Sequence, residues 1–159
     1  MNSESQHVVA ITAILERGGK FLIIKRLTTE KRFPGKWTVP GGRLEVSDYK
    51  NLPKDTPDSW YNVLERCLRR EVKEEVGLDI DRITYITSIA HIDAVGTPIL
   101  VISCAAEALS GEVVLADADA FVWVTLEELP NYDFISGIAE EIKMASAIPL
   151  RTHPEWRRG

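Results

Sequence analysis

Apolar and polar positions alternate between two periods along this chain. Residues 8–15 are rich in β-branched side chains and read as a strand. Gly18 and Gly19 sit in a five-residue hairpin turn (16–20), and residues 21–26 return as a second strand. A polar loop with basic clusters follows over 27–35. A short extended piece, 37–40, then stops at Pro40-Gly41-Gly42, and a polar surface loop occupies 43–55. The period then changes to that of a helix. Thr56 is placed as N-cap, Pro57 as first helical residue, Asp58 in the first turn and Gly77 just past the end, which predicts a helix over 57–76. Residues 83–92 and 97–108 predict two strands joined near Val95-Gly96, with a turn at Ser110-Gly111. Short strands at 113–115 and 121–124 flank the acidic stretch 116–120. Thr125 and Glu128 form a capping box, and 136–147 read as a second amphipathic helix. The tail 148–159, with two prolines and three arginines, is expected to be loosely held. The sum is a mixed β-sheet with two main helices, an α/β or α+β sandwich forming one domain over 1–159 with its core in 7–147.

The first helix carries the most informative pattern. Val63, Leu64, Cys67 and Leu68 share a stripe with Glu71, Glu74 and Glu75, so the stripe is apolar in its first turns and acidic in its last. An apolar stripe faces a core, which directs the three carboxylates toward the fold or a cleft in it. Carboxylates so placed repel one another unless a divalent cation neutralises them. The alternative is a solvated acidic helix end, against which stands the penalty for acid at a helix C-terminus.

Composition narrows the chemistry. The 159 residues include 45% hydrophobic and 27% charged positions, ordinary for a soluble domain with a real core. A formal net charge of -5 gives no reason to expect duplex nucleic acid or an acidic membrane as partner. It still permits a polyanionic small molecule if metal ions supply local positive charge. The cysteines, Cys67 and Cys104, look interior and set up no disulfide framework, so a cytoplasmic location is expected. The N-terminus lacks the regions of a signal peptide, and the most apolar stretch, 99–106, is of strand length. His7, His91 and His153 show no metal spacing.

Arg70-Glu71-Val72-Lys73-Glu74-Glu75-Val76-Gly77-Leu78, preceded by Trp37-Thr38-Val39-Pro40-Gly41-Gly42, resembles the Nudix hydrolase signature. That signature is a glycine, five residues, a glutamate, seven residues, then R-E-U-x-E-E-x-G-U with U a bulky aliphatic. The N-terminal hairpin ending at Lys25-Arg26 and the stretch Phe121-Val122-Trp123-Val124 are also similar to family features, so the likeness runs from about Val8 to Ala145. There are two departures. Gly42 precedes Arg70 by twenty-eight residues where the family has fourteen, which puts about fourteen extra residues within 47–61. Counted back from Arg70, the box glutamate is replaced by Asn62; Glu45, Asp48, Asp58 or Glu65 are the candidates to substitute for it.

The resemblance implies an α/β/α sandwich and a Mg²⁺-dependent pyrophosphohydrolase, with Mn²⁺ able to substitute. Its substrate would be a nucleoside diphosphate linked to another moiety, a (d)NTP first, with nucleotide sugars, dinucleoside polyphosphates or a catalytically weak nucleotide-binding module as alternatives. Hard oxygen ligands suit such ions. Glu71 and Glu75, then Glu74, with the carbonyl of Gly42, are the implied metal ligands. Arg70 is expected to orient a box glutamate. The general base is a box glutamate or an outside carboxylate, Asp117 or its alternate Asp119. Arg26, Trp37, Gly41 and Arg43 are the expected substrate contacts, while Trp60 and Tyr61 either anchor the inserted loop or add to a lid. The implied partner is a small nucleotide, with no nucleic-acid duplex and no membrane; a homodimer is compatible with the pattern.

Overall fold

The computed structural model describes residues 3–151. Seven strands form one mixed sheet: β1 (Val8–Arg17), β2 (Lys20–Arg26), β3 (Trp37–Thr38), β4 (Gly41–Arg43), β5 (Ile80–Ile92), β6 (Pro98–Ala108) and β7 (Ala118–Val124). Two helices cover it, α1 (Val63–Val76) and α2 (Ile138–Ser146). The main path runs β3-β2-β1-β6-β5, with β4 on β1 and β7 on β2. The β1–β6 pair is parallel, from Val8↔Ile99 to Glu16↔Glu107, and the other pairs are antiparallel.

Alternation along the strands builds two cores. Ile11, Ala13, Leu15, Leu22 and Ile24 point to one face and pack against Cys67, Leu68, Val72 and Val76 of α1. Ile14, Phe21 and Ile23 point to the other face, against Ile138, Ile142 and Ala145 of α2. The arrangement is the α/β/α sandwich expected from the sequence, and Cys67 and Cys104 are both buried and free.

One feature of the sheet creates the functional cleft. β1 and β2 pair only beside their hairpin, at Glu16↔Phe21 and Arg17↔Lys20, and diverge toward the other end. β4 fills the gap on β1 and β3 on β2, linked through Val39-Pro40, whose Pro40 carbonyl accepts from the Ala13 amide at 2.8 Å. Pro40-Gly41-Gly42 is therefore not only a stop. Gly41 and Gly42 are strand residues, and neither is at positive φ among the described residues. What Gly41 supplies is absence of bulk: a Cβ there would sit 2.5 Å from the Ile11 carbonyl oxygen and 2.9 Å from Thr12 Cα. Backbone cannot yield as a side-chain tip can. Gly41→Ala is expected to cost about 2 kcal/mol, lowering the melting temperature by about 4–8 °C. A thermal scan showing no shift would mean that β4 does not lie so close on β1.

Several predicted boundaries move. The helix begins at Val63, behind Asn62 in the left-handed region (φ 58°), not at Pro57. Thr56 does accept amide bonds, from Asp58 (3.3 Å) and Ser59 (3.0 Å), but this capping chemistry closes a turn within the inserted loop. Gly77 ends the helix as expected, at φ 70°, its amide donating to Lys73 O. Residues 113–115 form no strand. Val114 N–H donates to Val76 O (2.9 Å) and Ala116 N–H to Glu75 O (3.1 Å), so the segment satisfies carbonyls that α1 leaves open at its C-terminus. The capping box at Thr125 and Glu128 is present, opening a 3₁₀ turn over Leu126–Asn131. The expected loose tail is held as far as it is described: Leu150 packs on the α2-side core, and Arg82 donates to the carbonyls of Leu150 (3.1 Å) and Arg151 (3.0 Å). His153 and the rest of the tail, 152–159, lie outside the described residues. Among the described residues no helix is long and apolar enough to cross a membrane.

Candidate active site

The last turns of α1 carry the acidic residues, and helix geometry sorts them. At about 100° per residue, Glu75 stands about 40° to one side of Glu71 and Glu74 about 60° to the other. The buried side chains Leu68, Val72 and Val76 lie on Glu75's side. Glu71 is therefore largely covered, with 13% of its side chain exposed, while Glu74 is 60% exposed. The expectation that all three carboxylates turn inward holds for Glu71 and Glu75 and fails for Glu74.

Gly42 and Glu71 occupy one space. A Cβ on Gly42 would collide with the Glu71 carboxylate carbon and both its oxygens, so the carboxylate rests directly over the β4 backbone. Glu75 Oε2 lies 3.4 Å from the Gly41 amide that donates to it. Burial pushes the Glu75 carboxyl up to about 8; the charge of Glu71 adds to the rise, and the Gly41 amide and Arg26 oppose it. Burial also raises Glu71, partly offset by Arg70. Negative charge on either carboxylate is thus penalised by its surroundings, and a cation would relieve the penalty.

Arg70 organises this end of the site. Its guanidinium pairs with Asp48 through Nε and through Nη2 (3.1 Å), donates from Nη1 to Glu71 (2.8 Å) and Glu74 (3.1 Å), and from Nη2 to the Arg43 carbonyl (3.2 Å). The Asp48 side chain is only 2% exposed, and its hydrogen bonds to Arg70 hold its carboxyl below the ordinary value. Asp48 is thus the anchor that counting back from Arg70 does not find at Asn62. Counting forward from Gly42 does find it: five residues, then Asp48. The fourteen extra residues are then 49–62, between the aspartate and the seven residues that precede Arg70. Loop closure makes the insertion cheap, since tripling the connection costs about 1 kcal/mol.

The cleft opens where the sheet splits. It has a volume of about 310 Å³ and is lined by Glu75, Gly41 and Thr12, with Arg26, Glu30 and Asp117 among its other polar groups. Ile24, Thr38, Val39 and Ala118 complete it. Asp117 arrives there because residues 114–116 are bonded to the end of α1. Asp119 is committed elsewhere, its carboxylate accepting from the Thr28 amide at 3.3 Å. Arg26 donates from Nε to the Arg32 carbonyl (2.9 Å) and pairs with Glu30 at 3.4 Å. Trp37 lies apart from the cleft lining: it packs edge-on against Tyr132 at 5.1 Å and is bonded through its backbone to Asp133 and Ile135. Arg43 contributes its carbonyl to Arg70 and is otherwise exposed. The sequence reading passed over Thr12 and Glu30; only the sheet split, which has no local signature, brings them to the cleft.

As the side chains stand, no three imidazole, thiol or carboxylate groups among the described residues gather as a metal cage. The donor chemistry nevertheless fits a hard dication. Glu71 and Glu75 offer carboxylate oxygens one turn apart, both with raised pKa, and Gly42 leaves room for the Glu71 carboxylate.

The chain is similar to known proteins over most of its length. A Nudix domain model matches residues 5–143. The nucleoside triphosphatase NudI of Klebsiella pneumoniae is 24% identical over 144 residues, covering 80% of this chain and 89% of that protein. An 8-oxo-dGTP diphosphatase of Proteus vulgaris is 29% identical over 91 residues, 57% of this chain and 67% of that protein. The crystal structure of a MutT Nudix hydrolase from Burkholderia pseudomallei superposes with a TM-score of 0.68 at 27% identity, over 88% of this chain and 98% of that one. With the signature helix, its glycine cradle and the sandwich that holds them matched over most of its length, the chain belongs to the MutT-like Nudix hydrolase family.

Proposed function

We propose that this Nudix protein is a divalent-cation-dependent pyrophosphohydrolase acting on a nucleotide, a nucleoside or deoxynucleoside triphosphate first, and releasing the monophosphate. The observation that carries this reading is the pairing of Glu71 and Glu75, two covered carboxylates with raised pKa, at the edge of a cleft that also holds Arg26 and Asp117. The names of the relatives, a nucleoside triphosphatase and an 8-oxo-dGTP diphosphatase, favour the same substrate class.

Glu71 and Glu75, with the Gly42 carbonyl and Glu74 at the outer side, would hold Mg²⁺ or Mn²⁺. Bound there, the ion supplies neutralisation of the phosphates and a water of lowered pKa. The remaining work falls to the chain itself. Arg26 meets a phosphate from across the cleft. Asp117, which lines the same cleft as Glu75, accepts a proton. Arg70, fixed by Asp48, keeps the Glu71 carboxylate from swinging off Gly42. Asp48 supports the catalytic reading over a crippled binding module, because the arginine keeps an acidic anchor despite the insertion.

The test is phosphate and pyrophosphate release from a panel of ribo- and deoxyribonucleoside triphosphates, nucleotide sugars and dinucleoside polyphosphates, with and without Mg²⁺. Metal-dependent turnover of at least one triphosphate is expected. Tight nucleotide binding without turnover at any Mg²⁺ or Mn²⁺ level would overturn the reading.

A further inference from the structure

Residues 49–62 are the stretch that the family pattern lacks, and they are folded on themselves. The chain enters through a 3₁₀ turn over Val46–Asp48, where Glu45 N–H donates to Asp48 Oδ2 (2.8 Å) and Asp48 N–H to Glu45 O (2.9 Å). Lys50 N–H donates to Val46 O and Leu52 N–H to Tyr49 O, both at 2.9 Å, so the near leg is a continuous set of turns. The far leg closes through Asp55, whose amide donates to Ser59 O (3.0 Å) and whose carboxylate accepts from Tyr61 N–H (2.9 Å). Trp60 joins the legs. Its indole N–H donates to Leu52 O at 2.9 Å, its ring lies 5.3 Å from that of Tyr49, and Lys54 Nζ stands 5.1 Å above it.

Tyr49 follows Asp48 directly, and Asp48 is the acid that holds Arg70. A slack insertion at this point would leave Asp48 at the end of a mobile tether. We propose that the Trp60–Tyr49 contact is a clasp that fixes Asp48 and, through it, the Arg70 guanidinium. Trp60 is then a positioning residue for Glu71 and Glu74, although it touches neither. The inference rests on the reading of Arg70 and the box glutamates as the working end of the site.

Solvent exchange of the Arg70 Nε proton, followed by ¹⁵N NMR, reads the clasp without any substrate. Trp60→Ala is expected to speed that exchange about ten-fold while the α1 amides at 67–72 keep their protection. Nucleotide kcat should fall by a similar factor with KM unchanged. Trp60→Phe, which keeps the ring contact and loses only the indole bond, should stay near the wild type. Tyr49→Leu serves as a second variant and should reproduce Trp60→Ala. Unchanged Arg70 exchange in Trp60→Ala would overturn the proposal. So would loss of protection along α1, which makes Trp60 a fold residue only, or a rise in KM alone, which makes it a substrate contact. If the wild type turns over no nucleotide, the exchange measurement still decides the clasp, and the failure falls on the proposed function.

Discussion

Glu75→Gln is expected to lower nucleotide hydrolysis about a thousand-fold, several kcal/mol of transition-state charge stabilisation being lost with a carboxylate that would hold the metal. The residue stands where helix, β4 backbone and cleft meet. The substitution also has an opposite effect on stability that makes the assignment testable twice. In metal-free protein the Glu75 carboxyl is pushed up to about 8 from its ordinary 4.5, chiefly by burial. The folded chain therefore keeps a proton that the unfolded chain releases. This contribution to stability is complete below pH 4.5 and is lost as pH rises through about 8. In EDTA, glutamine should raise the melting temperature relative to wild type at pH 9 and have little effect near pH 4. Added Mn²⁺ should reverse that order at high pH, because only the wild type offers the full ligand pair. Less than ten-fold loss of activity, or no pH-dependent separation of the two melting curves in EDTA, would remove Glu75 from the centre of the site.

Gly42→Ala should be nearly as damaging to turnover, about a hundred-fold, from the addition of one methyl group. The new Cβ would enter the volume now filled by the Glu71 carboxylate. Because the obstacle is a side-chain tip, Glu71 swings away and the sheet survives, so the melting temperature should drop much less than for Gly41→Ala, where the obstacle is backbone. The pair of variants separates packing from function. Gly41→Ala is read mainly in a thermal scan, and Gly42→Ala mainly in kcat and in the Mn²⁺ concentration needed for half-activity. An active Gly42→Ala enzyme with normal metal response would show that Glu71 need not rest on β4.

Local chemistry made much of this legible in the sequence. Alternation gave the long strands, Gly77 the end of α1 and the Thr125–Glu128 box the start of the 3₁₀ turn, because each depends on neighbours within a few residues. The signature helix gave Arg70, Glu71 and Glu75. Misreadings arose where one local motif serves two ends. Thr56-Pro57 has the chemistry of a helix start but closes a loop turn, and the helix waits for Asn62 to enter from the left-handed region. Residues 113–115 have strand-like apolarity but spend their amides on the end of α1. The pairing of Asp48 with Arg70 spans an insertion, so counting back from Arg70 misses it, while the count forward from Gly42 and the contact in the fold both reach it. Thr12 and Glu30 reach the cleft through the divergence of two strands, which no spacing along the chain encodes.

The bonds from residues 114 and 116 to the last carbonyls of α1 bear on how the cleft can breathe. They yoke the helix that carries Glu75 to the segment that delivers Asp117, so these two sides travel as one body. Widening the gap between them means breaking main-chain bonds, a rare event on the time scale of turnover. Freedom of access is left to the connection of residues 27–36, which brings Glu30 to the cleft. Changes in that connection can retune which molecules are admitted while leaving the spacing of the reacting groups untouched.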